Sequence, residues 1–257
     1  MVIILVQILF WLALLALLHT YLFYPLIVIF LARNKENNKN VYEFEELPEI
    51  TIIMAVHNEE KVIAEKLESV VNSDYPKDRI AFLIGSDAST DKTNQIVDSY
   101  TEKFPYIKLQ RFNERSGKIK IINALFDSAL SPVLVMTDAN AIFSKGALSE
   151  LIKHFRNPKI NVVGGRLFNR KSGKGGIAKQ EHTYMESEFK VKIAEGKLWG
   201  TMMGAYGAFY AIRKESFVKV PENFMVDDFF ISLKAIEKLE KRFVNQKPLH
   251  MKMFLAI

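Results

Sequence analysis

Three features are missing from this sequence, and each absence argues against a class of protein. The 257 residues contain no cysteine, so disulfide bonds and thiolate metal sites are unavailable. No G-x-G-x-x-G or Walker A sequence opens a predicted helix, which argues against dinucleotide-binding and P-loop sites. No nucleic-acid motif or basic stripe is present, so we predict no nucleic-acid partner. The net charge of +6 weakly indicates an anionic ligand or a membrane surface.

Charged residues are also missing from one long stretch at the start of the chain. Val2–Ala32 contains no Lys, Arg, Asp or Glu. As a helix it would extend roughly 46 Å, more than the ~30 Å hydrocarbon core of a bilayer. Residues 19–25 therefore look like an interfacial band or a kink. The stretch lacks a basic start and is too long for a signal peptide, so we predict a retained transmembrane anchor at residues 1–33.

Basic residues follow this anchor directly. Arg33, Lys35 and Lys39 lie on its carboxyl side, whereas only the amino terminus is basic before it. The positive-inside rule then predicts a single-pass protein of the cell membrane, with the rest of the chain in the cytoplasm. Residues 34–48 are polar and predict a linker, and residues 49–257 form the predicted cytosolic domain.

Strand and helix patterns alternate after the linker. Apolar runs at Ile50–Val56, 80–84, 107–109 and 133–136 predict strands, and amphipathic patterns between them predict helices. The first of these helices is expected to have Asn58 as its N-cap. Such a β-α-β-α-β-α-β order predicts an α/β fold with a parallel sheet and helices on both faces. Further along, residues 177–195 and a segment opening at Asp227-Asp228 predict helices, and glycine-rich residues 171–176 predict a flexible loop.

The run at 133–136 is the most informative of these strands. It is apolar throughout, which is typical of a strand buried on both faces, and it stops at Thr137-Asp138-Ala139-Asn140. Ligands of open α/β sheets bind beyond the carboxyl ends of the strands. Asp138 and Asn140 are two residues apart, so in an extended chain their side-chain oxygens point the same way. Carboxylate and amide oxygens suit Mg²⁺ or Mn²⁺, although the same residues also commonly end a strand and begin a turn.

Five sequence blocks, taken in order, resemble one known family. The resemblance is to the family 2 inverting glycosyltransferases, which have the GT-A fold, and it extends over residues 49–245. The blocks are residues 51–60, residues 86–91, Gly117-Lys118 with 123–125, residues 137–140 and residues 226–228. A membrane anchor followed by a cytosolic domain is similar to the membrane polysaccharide synthases of this family. The resemblance implies a GT-A domain with a mixed, mostly parallel sheet.

The same resemblance implies how a nucleotide sugar would bind. Asp138 and Asn140 would hold Mg²⁺ or Mn²⁺ across the two phosphates of a UDP-sugar. Asp87 would accept a hydrogen bond from uracil, and Lys118 would contact the diphosphate. The alternatives are that Asp87 caps a helix and that Lys118 is simply exposed at the start of one. Asn140 stands where some members carry an acid, so metal affinity would depend more on the diphosphate.

The resemblance also implies which residues would act on the acceptor. Asp228 would be the general base that removes a proton from the acceptor hydroxyl. Asp227 would support Asp228 or the metal, although both acids also complement the dipole of a helix start. Glu59 is a supporting candidate for the site, but a charge at the start of a helix is the better interpretation of this residue. The implied function is transfer of a hexosyl or N-acetylhexosaminyl group from a UDP-sugar to a growing glycan or lipid-linked acceptor.

One departure from the family suggests a different function. Processive members continue with a Gln-x-x-Arg-Trp block and more membrane helices, and neither occurs before Ile257. This leaves a second hypothesis: a truncated or inactive chain that binds nucleotide sugar at the membrane and depends on a protein partner for the missing elements.

Overall fold

The computed structural model consists of a long N-terminal helix and an α/β domain, and it describes residues 2–36, 38–166, 176–200, 204–205, 207–224, 226–244 and 252–255. The strands are β1 (Ile50–Val56), β2 (Ile80–Asp87), β3 (Ile107–Phe112), β4 (Val133–Thr137), β5 (Ile160–Gly164), β6 (Phe209–Arg213) and β7 (Lys252–Leu255). The α-helices are α1 (Val2–Leu18), α2 (Tyr24–Ala32), α3 (Ile63–Val71), α4 (Thr93–Thr101), α5 (Lys118–Ser128), α6 (Ala147–Ile152), α7 (Gly176–Trp199) and α8 (Asp227–Val244). Most of the predicted glycine-rich loop, residues 171–175, lies outside the described residues.

The N-terminal helix is long and apolar enough to cross a membrane. It runs over Val2–Ala32, and none of the α1 side chains is buried against the rest of the protein. A π-helical turn at His19–Phe23 joins α1 to α2. Pro25 follows this turn and has no backbone N–H to donate, so the regular hydrogen-bond ladder is interrupted there. The irregularity predicted at residues 19–25 is therefore present as a π turn.

The carboxyl-terminal part of this helix packs against the α/β domain. Val28 and Ala32 on α2 are buried against Ala194 on α7. The hydroxyl of Tyr24 donates a hydrogen bond of 2.6 Å to Oε1 of Glu195, which is itself buried. This contact joins the apolar helix to α7 by packing and by a hydrogen bond.

The sheet has the order β3-β2-β1-β4-β6-β5-β7 in the described part of the chain. The first four strands are parallel, with Ile50 of β1 paired to Ile80 of β2 and to Val133 of β4. Strand β6 runs antiparallel between β4 and β5, and β7 pairs parallel to β5. The predicted mixed, mostly parallel sheet flanked by helices is therefore confirmed.

Both faces of the sheet are covered, and β4 lies at its centre. Val133 and Val135 belong to the apolar cluster that includes α3, α4 and α6. Leu134 and Met136 belong to the cluster on the opposite face, which includes α5, α7 and α8. All five residues of β4 are buried, as its continuous apolar sequence predicted.

One local prediction is wrong. Asn58 does not cap α3, which begins at Ile63. Instead, Asn58 adopts a φ of +53°, and its Oδ1 accepts the backbone N–H groups of Thr90 at 2.8 Å and Asp91 at 3.4 Å. The Asn58 side chain therefore joins the loop after β1 to the loop after β2. It does not cap α3 because several residues separate β1 from the first turn of that helix.

Gly85 on β2 allows α5 to approach the sheet closely. A Cβ at this position would lie 2.2 Å from Cγ2 of Ile121, whereas a Cβ at Gly146 would lie 3.6 Å from its nearest neighbour, Oδ2 of Asp74. We expect Gly85→Ala to lower the free energy of unfolding by about 1–3 kcal/mol, because the extra methyl overpacks the helix–sheet contact. Gly146→Ala is the control. Equal chemical denaturation curves for the two detergent-solubilised variants would contradict this account.

Candidate functional site

Polar loops from several parallel strands meet at one edge of the sheet. They follow the carboxyl ends of β1, β2 and β4 and enclose a cavity of about 300 Å³. The residues that line it are Ala55, Val56, His57, Glu59, Asp87, Arg115, Lys118, Asp138, Ala139 and Asn140. Five residues that the sequence singled out therefore lie around one cavity: Glu59, Asp87, Lys118, Asp138 and Asn140. This is the position at which open α/β sheets bind ligands.

The ammonium group of Lys118 lies between two carboxylates. It donates to Oδ1 of Asp138 at 2.9 Å and lies 3.7 Å from Oδ2 of Asp227. Lys118 opens α5, Asp138 follows β4, and Asp227 opens α8, so three elements contribute to this contact. Burial would lower the pKa of Lys118, but Asp138 and Asp227 outweigh it and the net shift is upward. The protein therefore holds a positive charge at the edge of the cavity.

Asp228 lies beside this group but does not line the cavity among the described residues. Its Oδ1 accepts the N–H of Phe229 at 2.7 Å, and its carboxylate packs against Gly207, where a Cβ would lie 2.6 Å from Oδ2. The Tyr210 hydroxyl is buried without a hydrogen-bond partner among the described residues. Burial, together with Asp227, Asp228 and Asp138, raises the pKa of Tyr210 well above its usual value. Three carboxylates, those of Asp138, Asp227 and Asp228, therefore lie near the neutral phenol of Tyr210.

Asp87 holds the loop that leads to Lys118. It is 4% exposed, and its two carboxylate oxygens accept the backbone N–H groups of Ser116 at 2.6 Å and Gly117 at 3.1 Å. Gly117 has a φ of +82°, which glycine adopts without strain. A carboxylate has about four lone-pair positions, so these two bonds leave capacity for a ligand. The predicted contact of Asp87 with uracil stays a prediction.

Asn140 reaches the cavity through a turn. The N–H of Ala141 donates to the carbonyl of Asp138 at 3.3 Å, so residues 138–141 turn back and do not continue the extended strand. The premise that Asp138 and Asn140 lie on extended chain is therefore wrong, although both side chains line the same cavity. Glu59 lines it too, and its carbonyl accepts the N–H of Ile63, the first residue of α3, at 2.9 Å, so it also lies in the turn that leads into that helix.

The oxygen ligands around this cavity fit a hard divalent cation that shares its coordination with a ligand. Lys118 already acts as a stand-in cation between Asp138 and Asp227, and Asn140 adds an amide oxygen to the lining. Among the described residues, no three His, Cys, Asp or Glu side chains form a metal cluster. Such a site suits Mg²⁺ or Mn²⁺, which commonly take one or two carboxylates and complete their coordination with water and phosphate oxygens.

Sequence reasoning did not single out Arg115. Its guanidinium lies 3.6 Å from Oδ2 of Asp87, and the side chain lines the cavity. The available signal was a basic residue in the polar loop at 111–118, two positions before Gly117. Arg115 adds a second positive charge to the cavity and suits an anionic ligand.

Comparison with known proteins identifies the domain. The family model described as Glycosyl transferase family 2 matches residues 51–220, which is 170 of the 257 residues. The probable glycosyltransferase YdaM of Bacillus subtilis is 34% identical over 125 residues, covering 47% of this chain and 30% of that protein. Poly-beta-1,6-N-acetyl-D-glucosamine synthase of Staphylococcus aureus is 29% identical over 192 residues, covering 73% of this chain and 44% of that protein. The chain thus spans less than half of these relatives.

A solved structure extends the comparison to the fold. The mannosyltransferase PcManGT from Pyrobaculum calidifontis, in complex with GDP-Man and Mn²⁺, matches with a TM-score of 0.73 and 22% identity. The match covers 94% of this chain and 65% of that protein. The α/β domain therefore has the GT-A fold of that enzyme, as the sequence motifs predicted.

Because Asp87 accepts two backbone N–H groups, we expect Asp87→Asn to release part of the 116–117 loop. An amide has only one acceptor oxygen, so one of these two part-buried N–H groups loses its partner, at a cost of about 1–3 kcal/mol of unfolding free energy. Chemical denaturation measures this loss. Asp98→Asn is the control, since Asp98 is an exposed partner of Arg111. A variant at Asp87 as stable as the control would contradict the anchoring role.

Proposed function

Because the chain belongs to glycosyltransferase family 2, we propose that it is a membrane-anchored inverting enzyme that transfers a sugar from a UDP-sugar. The observation that supports this most is the Lys118 ammonium between Asp138 and Asp227, at the edge of a cavity that Asp87 and Arg115 also line. The arrangement offers both signs of charge where a nucleoside diphosphate and its cation need them.

On the donor side, each residue has a distinct role. Asp138 and Asn140 hold Mg²⁺ or Mn²⁺, and Asp227 supports them from α8. When bound, the cation neutralises the diphosphate leaving group. Lys118 exchanges its contact with Asp138 for a contact with the diphosphate, and Asp87 accepts a hydrogen bond from the uracil edge while it holds the 116–117 loop. Glu59 lines the same cavity and supports these loops.

On the acceptor side, Asp228 acts as the general base. The acceptor hydroxyl oxygen forms a bond to the anomeric carbon on the face opposite the diphosphate, and the bond to the diphosphate oxygen breaks with its electron pair. The hydroxyl proton passes to the Asp228 carboxylate, which must be ionised to accept it. Attack from the opposite face inverts the configuration at the anomeric carbon.

The relatives and the N-terminal helix support the proposed acceptor and location. The Staphylococcus aureus relative makes a glycan polymer, and this chain has an apolar helix of 31 residues. We therefore place the enzyme at the cell membrane, where it extends a growing glycan or a lipid-linked acceptor. The positive residues after the helix support a cytoplasmic position for the α/β domain.

Two substitutions test the chemistry. With Mn²⁺ or Mg²⁺ and a panel of UDP- and GDP-sugars, we expect the detergent-solubilised chain to release UDP from one donor. Asp228→Asn is expected to keep Mn²⁺-dependent UDP binding and to lose about 10²–10⁴-fold in turnover, because the base is neutralised. Asp138→Ala is expected to lose the metal-dependent binding itself.

The control for both is Asp127→Asn, an exposed carboxylate that pairs with Lys219 away from the cavity. Release of GDP would correct the nucleobase. UDP binding without turnover by the unaltered chain would contradict the proposed activity and favour a nucleotide-sugar-binding chain that depends on a protein partner.

Because the sequence has no cysteine, single cysteines report the membrane topology. We expect Glu102→Cys, at an exposed position after α4, to react with a membrane-impermeant maleimide only after spheroplasts are permeabilised. Val2→Cys, at the far end of the apolar helix, is expected to react in intact spheroplasts. If Glu102→Cys reacted in intact spheroplasts and Val2→Cys only after permeabilisation, the α/β domain would lie outside the cell. If neither cysteine reacted in intact spheroplasts, a single pass would be contradicted.

A further inference from the structure

One lysine is fully buried directly beneath the turn that carries Asp138 and Asn140. Lys66 on α3 has an exposure of 0%. Its Nζ donates to Oγ1 of Thr137 at 2.8 Å and to the carbonyl of Ala141, and it lies 3.4 Å from the ring centre of Phe143. All three contacts are with the last residue of β4 or with the segment that follows it.

Simple packing does not explain a lysine at this position. The neighbouring inward positions of α3 are Ile63, Leu67 and Val70, all fully buried and apolar. Lysine is among the residues least often buried without an ionic partner. No carboxylate forms an ion pair with Lys66 in the part of the chain that the structure describes. Burying the Lys66 amine therefore costs stability, and its contacts indicate what the residue contributes in return.

The contacts of Lys66 bracket the two candidate metal ligands. Thr137 directly precedes Asp138, and Ala141 directly follows Asn140. The Thr137 hydroxyl also contacts the carbonyl of Ala208 at 3.0 Å, which ties the turn to the start of β6. Lys66 thus holds both ends of the turn from inside the protein, and it touches neither the cavity nor a candidate ligand directly.

We propose that Lys66 is a positioning residue that holds the 138–140 turn in the shape that receives a divalent cation with a nucleoside diphosphate. This inference rests on the proposed function, since it takes Asp138 and Asn140 to be the cation ligands. The two hydrogen bonds do not require a charge. Burial holds the pKa of Lys66 well below its usual value, against the opposing effect of Asp138, and a neutral amine still has two N–H groups to donate.

Lys77 provides a matched control near the other end of α3. Its Nζ also donates to backbone carbonyls, those of Ser73 at 2.5 Å and Tyr75 at 3.2 Å, but it contacts no residue of the cavity. Lys66→Met and Lys77→Met each remove the amino group that donates and keep an unbranched aliphatic side chain. A purely structural role for Lys66 predicts that both variants lose stability and leave metal-dependent binding unchanged.

The experiment measures UDP binding by the detergent-solubilised full chain as Mn²⁺ is raised, beside a thermal unfolding curve for each variant. We expect Lys66→Met to raise the half-saturating Mn²⁺ concentration by about tenfold or more, which corresponds to about 1.4 kcal/mol. Lys77→Met is expected to leave it within about twofold. An unchanged half-saturation in a folded Lys66→Met variant would overturn the inference.

A second pair of variants applies if Lys66→Met does not fold. Thr137→Val removes the hydroxyl that Lys66 contacts and keeps a similar shape, whereas Thr137→Ser keeps the hydroxyl. We expect only Thr137→Val to raise the Mn²⁺ requirement, and equal effects of the two would overturn the inference. A wild-type chain without Mn²⁺-dependent UDP binding would overturn the proposed function and this inference together. If the wild-type chain binds UDP with Mn²⁺ and only Lys66→Met or Thr137→Val raises the half-saturating Mn²⁺ concentration, the inference is supported.

Discussion

The contact of Lys118 with Asp138 and Asp227 is the interaction on which the candidate site depends. One acid after β4 and two at the start of α8 converge at one edge of the sheet, and their mutual repulsion must be balanced by a cation. In the free protein Lys118 supplies that charge. A nucleoside diphosphate that arrives with a divalent cation can take over this balance, since it brings charges of both signs. The same electrostatics thus explain the free protein and its proposed complex.

The position of Lys118 is set by hydrogen bonds between side chains and the backbone of neighbouring loops. Asp87 holds Ser116 and Gly117 by their N–H groups, and α5 begins at the next residue. Asn58 joins the loop after β1 to the loop after β2. The site therefore consists of loops that are joined by side-chain-to-backbone hydrogen bonds. These loops begin at the same edge of the sheet because the strands before them are parallel.

The sequence predicted the parts of this arrangement that depend on local pattern. Buried strands have continuous apolar runs, and Asp87 and Asp138 stand where such runs end, so their convergence followed from parallel pairing. Contacts between distant segments left no such pattern. Lysine ordinarily predicts an exposed position, so the burial of Lys66 was missed, and the antiparallel direction of β6 depends on how the chain returns from α7. The Asn58 prediction failed because a side chain that can cap a helix can also bind neighbouring loops.

The two halves of the candidate site have different supports. Asp87 ends β2 and Asp138 follows β4, whereas Asp228 lies in the first turn of α8 beside Gly207. The segment before Gly207 contacts α8 through the N–H of Ala205 and the hydroxyl of Ser232 at 3.2 Å, and it follows α7, which holds the apolar helix through Glu195 and Tyr24. Asp87 and Asp138 on the donor side are thus fixed to the sheet, and the proposed base is connected to the helix that spans the membrane in our proposal. A lipid-linked or membrane-extruded acceptor would approach from the membrane, so this division of supports fits an enzyme that brings a soluble donor to an acceptor held at the bilayer.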